Sequence, residues 1–523
     1  MKLVVFFLAS VAMGAEMSPA AKSWWRHVEV LADDKMEGRE TGSPGHRMAV
    51  EYVSQEYERA GLKPGGTNGY TQPVPFRVRR INEEASKLEL IRNGVAEAVQ
   101  LGREATIGLR IDPAPRVEAG LVFAGYGFAV PEKNYDDVTG LDMRGKIVVY
   151  LQGVPAGIPA ELSGHYQSAA ERWKRLKAAG AVGVIVIQNP KSADIPWARA
   201  SRARLLPSMD LSDPSFEESA GMQISLAWNA ERADRLFDGS GHTMAEILAL
   251  ADKKERLPRF ALVPTLRAQQ TITRSDVESQ NVIGILPGSD PKLKNEFLVF
   301  SAHIDHVGKS TVIEGDGIHN GAMDNASGIA ALIEIAALFK KNNVKPKRSI
   351  AFVAVTGEEK GLRGSRYFAV HPTLSGKIVA NLNMDMFLPL HELKILRVLG
   401  IDESDLGDTM KAVATRAGVR ALPDPKPERN SFIRSDQYSF VREGIPSINA
   451  GFGYELGSPE EQLHKNWLAE RYHGVTDDLL QPVDKEAAAK FVGILYEFSH
   501  RVADQPQAPR WKDTSFFKRF ERK

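Results

Sequence analysis

The chain has 523 residues, and its 67 Lys and Arg residues nearly balance its 66 Asp and Glu residues, leaving a formal net charge of +1. This balance gives no sign of nucleic acid or an anionic membrane surface as a partner, and the length predicts more than one compact unit. Because cysteine is absent, disulfides, thiolate metal sites and a cysteine nucleophile are excluded.

The first residues, MKLVVFFLASVAMGA, have the pattern of a signal peptide at positions 1–15. Lys2 supplies the positive start, the run Leu3–Val11 is apolar, and small residues follow near the expected cleavage point. A short buried helix is the alternative interpretation. The run is shorter than the roughly 20 residues that cross a bilayer, and no later segment is expected to span one. The sequence therefore predicts export to the periplasm or the medium, without a transmembrane segment.

Two regions precede the C-terminal half. Residues 23–116 combine helical patterns with short strands and are predicted to form the N-terminal part of the main domain, with the stretch RETGSPGHR as a loop. Residues 117–262 contain GKIVVYLQG, SAAERWKRLKAAG and AVGVIVIQ, whose strand–helix–strand order predicts a separate, smaller unit.

A second α/β series occupies residues 272–503. Its apolar runs are NVIGILPG, EFLVFSAHID, RSIAFVAVT and KIVANLNMD, and the clearest helical pattern is ASGIAALIEIAALFKKN. Because these runs are continuously apolar rather than alternating, they predict an α/β fold with a mostly parallel mixed sheet flanked by helices. The tail, residues 504–523, is basic and aromatic, and we expect it to pack on the surface or fray rather than bind a partner.

Five residues of this series have the side chains of a two-metal site. Three directly follow apolar strands and one precedes a helix, positions that converge at one edge of an open α/β sheet. Two imidazoles and three carboxylates suit zinc. Taken singly, each residue has a plainer interpretation, such as a hydrogen-bonded histidine, a helix cap or a solvated carboxylate. The five are His303, Asp324, Glu359, Asp385 and His473.

Glu358 and Glu359 lie between an apolar strand and a glycine-rich turn. Two carboxylates at such a place are costly unless a cation or a proton compensates for them. Glu358 is therefore a candidate general base beside the metal site.

The motifs AHIDH, GAMDNASG, TGEEKGLRGS, NMDM and RYHGVTDD, in this order, resemble metallopeptidase family 28, a family of di-zinc aminopeptidases. FAGYGF, GKIVVYLQG and KAAGAVGVIVI in residues 117–262 resemble the protease-associated (PA) domain that is often inserted in that family. The resemblance implies a zinc-exopeptidase fold with an inserted PA domain that either covers the cleft or only packs against the sheet.

The resemblance also implies how the five residues divide between two zinc ions. His303 and Asp385 would hold one ion, Glu359 and His473 would hold the other, and Asp324 would bridge them.

Further residues receive roles from the same resemblance. Glu358 would be the general base, and Tyr472 would hydrogen-bond the tetrahedral oxyanion. The carboxylate of Asp305 would orient the imidazole of His303, and Asp477 would do the same for His473. Gln437 replaces the family's usual histidine, a change expected to affect substrate contact or packing.

Two other histidines, His306 and His319, match no ligand position and are interpreted as loop residues, with a substrate role as the weaker alternative.

The predicted function is that of an exported zinc-dependent hydrolase, an exopeptidase that removes N-terminal residues from peptides. A carboxypeptidase of the same superfamily, a glutaminyl cyclase and a non-catalytic receptor-like relative remain alternatives. The carboxypeptidase would need a basic group for the substrate's C-terminal carboxylate, which the sequence does not locate.

Overall fold

The computed structural model describes residues 16–193, 195–310, 313 and 315–522, so the predicted signal peptide at 1–15 lies outside the described residues. Helices in the described part of the chain begin with polar or proline caps in many cases, as for Pro19 after Ser18 and Pro44 after Ser43. The α-helices are α1 Pro19–Leu31, α2 Pro44–Arg59, α3 Ala160–Gln167, α4 Ala169–Ala178, α5 Trp197–Ala200, α6 Asp234–Phe237, α7 Met244–Asp252, α8 Ser327–Lys341, α9 Arg363–Val370, α10 Asp405–Arg416, α11 Gln437–Val441, α12 Pro459–Glu470 and α13 Lys485–Asp504.

Within the described residues, the strands form two large sheets and two small ladders. They are β1 Lys63–Pro64, β2 Thr71–Ile81, β3 Lys87–Arg92, β4 Val95–Ala98, β5 Ala105–Ile107, β6 Arg116–Ala124, β7 Ala129–Val130, β8 Tyr135–Asp136, β9 Ile147–Leu151, β10 Gly183–Ile187, β11 Ser208–Leu211, β12 Ile224–Trp228, β13 Arg259–Gln269, β14 Ile272–Leu286, β15 Glu296–His303, β16 Gly308–Lys309, β17 Ile318–His319, β18 Ser349–Val355, β19 Lys377–Asn383, β20 Ile395–Leu399, β21 Arg420–Leu422 and β22 Ser447–Phe452.

The larger sheet has the order β11-β2-β14-β18-β15-β19-β22-β20-β21. Its centre, β18-β15-β19-β22, is parallel, whereas β14, β2 and β11 add antiparallel strands at one side. Every residue of β18 is buried, as expected for a strand covered on both faces. The predicted α/β class with a mixed sheet flanked by helices is confirmed.

Helices cover both faces of this sheet. On one face α8 packs on the strands, and α1, α2, α10 and α13 complete a single apolar cluster around it. On the other face Phe368 of α9 and Phe440 of α11 pack on Val299 and Val353. The parallel strand ends are thereby fixed between two helical layers.

One stretch of the described residues has the length and composition of a membrane span. Residues Ala322–Lys341, which include α8, are long and apolar enough to cross a membrane by length and composition, with a mean hydropathy of 1.4. However, 83% of this stretch is buried inside the protein, because α8 is the central helix of the apolar cluster.

The smaller sheet has the order β4-β3-β13-β6-β9-β10-β12-β5 and contains the predicted strand–helix–strand unit as β9, α4 and β10. It begins at Lys87 and ends at Gln269, because β13 pairs with β3 as well as with β6. It therefore extends beyond the predicted limits of 117 and 262. In addition, β11 lies within this stretch of the sequence but pairs with β2, so it belongs to the larger sheet.

The tail packs rather than frays. Trp511 is 4% exposed and Phe517 is fully buried, against Phe432 and Tyr438. The aromatic residues of this segment therefore serve packing.

Candidate metal centre

The edge of the larger sheet brings three of the five predicted ligands together. His303 is the last residue of β15, Glu359 follows β18, and Asp385 follows β19. Since these three strands are parallel neighbours, their carboxyl ends lie side by side. Asp324 reaches the same place from the turn before α8, and His473 from the turn after α12.

Asp324 joins the two halves of the cluster. His303 Nε2 lies 3.2 Å from Asp324 Oδ1 and 3.3 Å from Asp385 Oδ1. His473 Nε2 lies 3.4 Å from Asp324 Oδ2 and 3.1 Å from Glu359 Oε2. Each half thus contains one imidazole, one carboxylate of its own and one oxygen of Asp324.

These separations fit zinc. Ligand atoms about 2.0–2.1 Å from a tetrahedral ion lie about 3.3 Å from one another. Asp324 Oδ2 is buried, and its nearest described partner is His473 Nε2 at the long distance of 3.4 Å, so a cation beside this oxygen would stabilise it. The donors therefore suit two divalent ions bridged by Asp324.

The electrostatics around His303 and His473 also favour cations at this site. Burial alone would lower the pKa of His473, but Glu359 and Asp324 raise it to about 10. Burial also acts to lower the pKa of His303. Asp385 and Asp324 outweigh this effect and raise that pKa well above its usual value. The carboxylates therefore create a strongly negative pocket that favours positive charge at both imidazoles.

The cluster is open to solvent on one side. The side chains of His303 and Asp324 are nearly buried, whereas those of Asp385 and His473 are 16% and 26% exposed. Ser435 donates a hydrogen bond of 2.5 Å to Asp385 Oδ2 and so fixes this exposed carboxylate. A substrate would approach from this side.

Glu358 precedes the predicted ligand Glu359 in the turn after β18. Its backbone N–H donates to Asp305 Oδ1 at 3.1 Å, which fixes the turn. Burial raises the pKa of Glu358 well above its usual value, and the charges of Glu359 and Asp385 add to this although His303 opposes it. A carboxylate with a raised pKa suits proton transfer near neutral pH.

The two predicted orienting carboxylates act differently from the expectation. His303 Nδ1 donates to the backbone carbonyl of Asp305 at 3.0 Å, while the Asp305 carboxylate is 4.0 Å away. That carboxylate instead accepts from Thr41 Oγ1 and from the Glu358 amide. The reason is geometric, because the chain turns sharply after β15 and presents the carbonyl to the ring.

Asp477 also supports a different neighbour from the one expected. It accepts hydrogen bonds from the backbone N–H groups of Met323 and Asp324, at 2.9 and 3.0 Å, and from Gln481. No hydrogen bond joins it to His473 in the described part of the chain. Asp477 therefore positions the bridging Asp324 rather than the histidine.

The ring of Tyr472 packs against that of His473 at a tilt of 41°, with centroids 4.0 Å apart, and Tyr472 is partly exposed. Burial raises the pKa of Tyr472 well above its usual value, so that its hydroxyl remains a hydrogen-bond donor.

Gln437 is fully buried. It accepts a hydrogen bond from Asn383 and donates one to the carbonyl of Phe432, so its role is packing.

Sequence reasoning missed two residues at the site. His306 was interpreted as a loop residue, yet it is fully buried with Nδ1 2.9 Å from Glu359 Oε1. Arg39 was placed in a loop, yet its buried guanidinium bonds to the carbonyls of Ile304, Asn320 and Gly321. The available signals were the second histidine of AHIDH and the charged residues inside the glycine-containing stretch GRETG.

His319, the other histidine interpreted as a loop residue, is also buried, and burial lowers its pKa to about 4.

Comparison with known proteins identifies the domain that holds this cluster. Residues 281–499 match the family model of peptidase family M28, and they contain all five predicted ligands and Glu358. These residues, called the M28 segment below, are similar to that family, and the similarity supports a metallopeptidase domain here. The family match does not reach residues 117–262, whose PA interpretation stays a prediction.

Relatives of the M28 segment extend the comparison. The chain is 34% identical over 249 residues to a probable zinc metalloprotease of Pyrenophora teres f. teres, covering 45% of this chain and 50% of that protein. It is 29% identical over 455 residues to aminopeptidase YwaD of Bacillus subtilis, covering 84% and 81%. The chain spans 50% and 59% of the lengths of the first two curated relatives.

A solved structure agrees with the fold around the M28 segment. The aminopeptidase from Aneurinibacillus sp. strain AM-1 aligns with a TM-score of 0.55 and 21% identity, over 94% of both chains. At this identity the likeness concerns the fold alone, and it covers both large sheets.

Proposed function

We propose that the chain is a zinc-dependent exopeptidase that removes N-terminal residues from peptides. The observation that carries this proposal is the convergence of His303, Asp324, Glu359, Asp385 and His473 on one open pocket with Glu358 beside it. The relatives named zinc metalloprotease and aminopeptidase support the choice of metal and reaction. The two halves that share Asp324 support the proposal of two ions per chain.

Zinc ions held by these residues would supply Lewis acidity that polarises a peptide carbonyl and acidifies a water molecule. Glu358 accepts a proton from the attacking water and delivers it to the leaving amine. Asp305 holds the Glu358 turn in place through its hydrogen bond to the amide. Tyr472 donates a hydrogen bond to the oxyanion from its position beside His473.

The same proposal includes export and an inserted PA domain. Residues 1–15 would be removed as a signal peptide, and the smaller sheet would restrict the approach of long peptides to the pocket. Removing the smaller unit by deletion and comparing short with long peptides tests the second idea. An unchanged length preference would contradict it.

One observation favours a carboxypeptidase as the second candidate. Arg110, from the loop after β5, is exposed and reaches over the turn of the pocket, where its guanidinium donates to the Glu359 carbonyl at 3.1 Å. Within the described residues it forms no ion pair. It is a basic group of the kind that would bind a C-terminal carboxylate.

The deciding experiment digests one peptide pool with zinc-loaded protein and follows the products by mass spectrometry. Each peptide is present with a free N-terminus, an acetylated N-terminus and an amidated C-terminus. We expect stepwise loss from free N-termini that acetylation and a chelator both stop. Loss from the C-terminus that amidation stops would establish the carboxypeptidase instead.

Glu358→Gln separates an enzyme from a binding protein on the same fold. We expect the variant to retain both zinc ions while turnover falls by orders of magnitude, because the amide cannot accept the proton. Zinc content by elemental analysis and hydrolysis rates measured on the same sample check this. Unchanged hydrolysis would remove Glu358 from the mechanism.

A further inference from the structure

His306 and His473 contact different oxygens of the Glu359 carboxylate. His306 Nδ1 is 2.9 Å from Glu359 Oε1, while the other oxygen, Oε2, is 3.1 Å from His473 Nε2. The two oxygens of one carboxylate are thus divided between a buried histidine and the proposed second zinc site.

Three separate segments fix the ring of His306. Its backbone N–H donates to the carbonyl of Arg39 at 3.2 Å, which joins it to the 34–39 turn. Gly321 lies flat against the ring, and a Cβ there would approach ring atoms to 2.6 Å. The ring also meets His473 edge to face, with centroids 5.7 Å apart. Such a clamped side chain presents its Nδ1 in one direction only.

The distance from His306 Nδ1 to Glu359 Oε1 is that of a hydrogen bond. At 2.9 Å it is shorter than the roughly 3.3 Å between ligands of one tetrahedral zinc ion, and Nδ1 lies 3.8 Å from Asp324 Oδ2. His306, Asp324 and Glu359 also lie close enough together to hold a metal ion, so direct ligation by His306 is the alternative that the experiment must distinguish.

A carboxylate that binds a metal through one oxygen leaves the other oxygen to be satisfied. Glu359 is 6% exposed, so water does not readily reach that oxygen, and an unpaired buried acceptor costs about 1–3 kcal/mol. Hydrogen-bond partners of ligands also fix their direction, and losing one typically weakens metal binding 10- to 100-fold.

We propose that His306 is a positioning residue of the second zinc site, whose Nδ1–H donates to Glu359 Oε1 and holds Oε2 toward His473 and Asp324. This inference rests on the proposed zinc-dependent function. It makes His306 specific to one of the two ions, since His303 and Asp385 lie on the other side of Asp324.

Zinc titration of the full chain against a chromophoric chelator tests the assignment. We expect His306→Ala to bind one zinc ion as the unaltered chain does and the other 10- to 100-fold more weakly. His306→Asn places an amide N–H near the position of Nδ1 and should restore most of that affinity. His371→Ala, at an exposed histidine, is the matched control and should change neither affinity.

Activity at raised zinc gives a second readout. His306→Ala should regain hydrolysis as zinc is increased, which a misfolded variant would not do. Equal zinc affinities in His306→Ala and the unaltered chain would overturn the inference. Complete loss of one ion in both His306 variants would also overturn it, because His306 would then be a direct ligand. If the unaltered chain binds no zinc, the proposed function fails instead.

Discussion

Glu403 is a carboxyl group whose surroundings oppose its ionisation. Burial raises the pKa of Glu403 to about 7, and nearby Glu161 and Asp402 add to the shift although Ser515 and Lys512 oppose it. Below about pH 4.5 the group is protonated in both the folded and the unfolded chain and contributes no pH dependence. As pH rises toward 7, the unfolded chain releases the proton first, so the folded state loses stability.

Glu403→Gln should remove this loss. We expect its free energy of unfolding at about pH 8 to exceed that of the unaltered chain by about 1–2 kcal/mol, with little difference near pH 4. Thermal unfolding midpoints at the two pH values measure the effect. Glu392→Gln, at an exposed carboxyl that is 70% accessible, is the control and should leave both midpoints unchanged. Equal midpoints for Glu403→Gln at high pH would contradict the raised pKa.

At the scale of elements, the short turn Asp34–Arg39 supports the metal centre from behind. The Arg39 guanidinium donates to the carbonyls of Ile304, Asn320 and Gly321, and so connects the loop after β15 with the turn that carries Asp324. Burial lowers the pKa of Arg39 to about 10 although Asp477 and Asp324 oppose the shift, so the group remains charged at neutral pH. This charge also offsets part of the negative potential of the pocket.

Arg39→Met should destabilise the fold and loosen the site together. Several buried carbonyls would lose their donor at about 1–3 kcal/mol each, so we expect a loss of at least about 3 kcal/mol in the free energy of unfolding. Thermal melting and zinc titration measure the two effects. Arg26→Met, at an exposed arginine of α1, should change neither. A variant with normal melting and normal zinc affinity would show that the turn does not support the centre.

The sequence predicts some elements of this centre and not others, for physical reasons. His303, Glu359 and Asp385 were predictable because β15, β18 and β19 are mostly apolar and buried, and each ligand lies at the end of its strand or within four residues after it. His306 and Arg39 were not, because their burial depends on loops that meet only in the folded chain. The first half of β14 was missed because it is exposed and polar, and its pairing with β2 is a backbone effect.

At the scale of the whole molecule, the tail connects the two sheets. Phe517 is fully buried among Phe432, Tyr438 and Trp511 near the larger sheet. Phe516 contacts His165 of α3, with ring centroids 5.3 Å apart, in the segment of the smaller sheet. Arg519 pairs with Glu132 of the same segment at 2.8 Å. The tail therefore restrains how the smaller unit lies beside the pocket.

Phe517→Ala should release this restraint. Removing a buried phenylalanine side chain costs about 3 kcal/mol, which corresponds to about a hundredfold faster opening of the structure that depends on it. We expect amide hydrogen exchange to accelerate in the tail and in α3, because α3 depends on the tail for cover, while β15 and β18 stay protected by their own helices. Leu480→Ala, at a residue that is 92% exposed, should leave the exchange of all four segments unchanged. Faster exchange confined to the tail would mean that α3 is held by the smaller sheet alone.

Faster exchange in β15 and β18 as well would mean that the two units open as one cooperative body. Access to the metal centre would then depend on the global rather than the local stability of the protein.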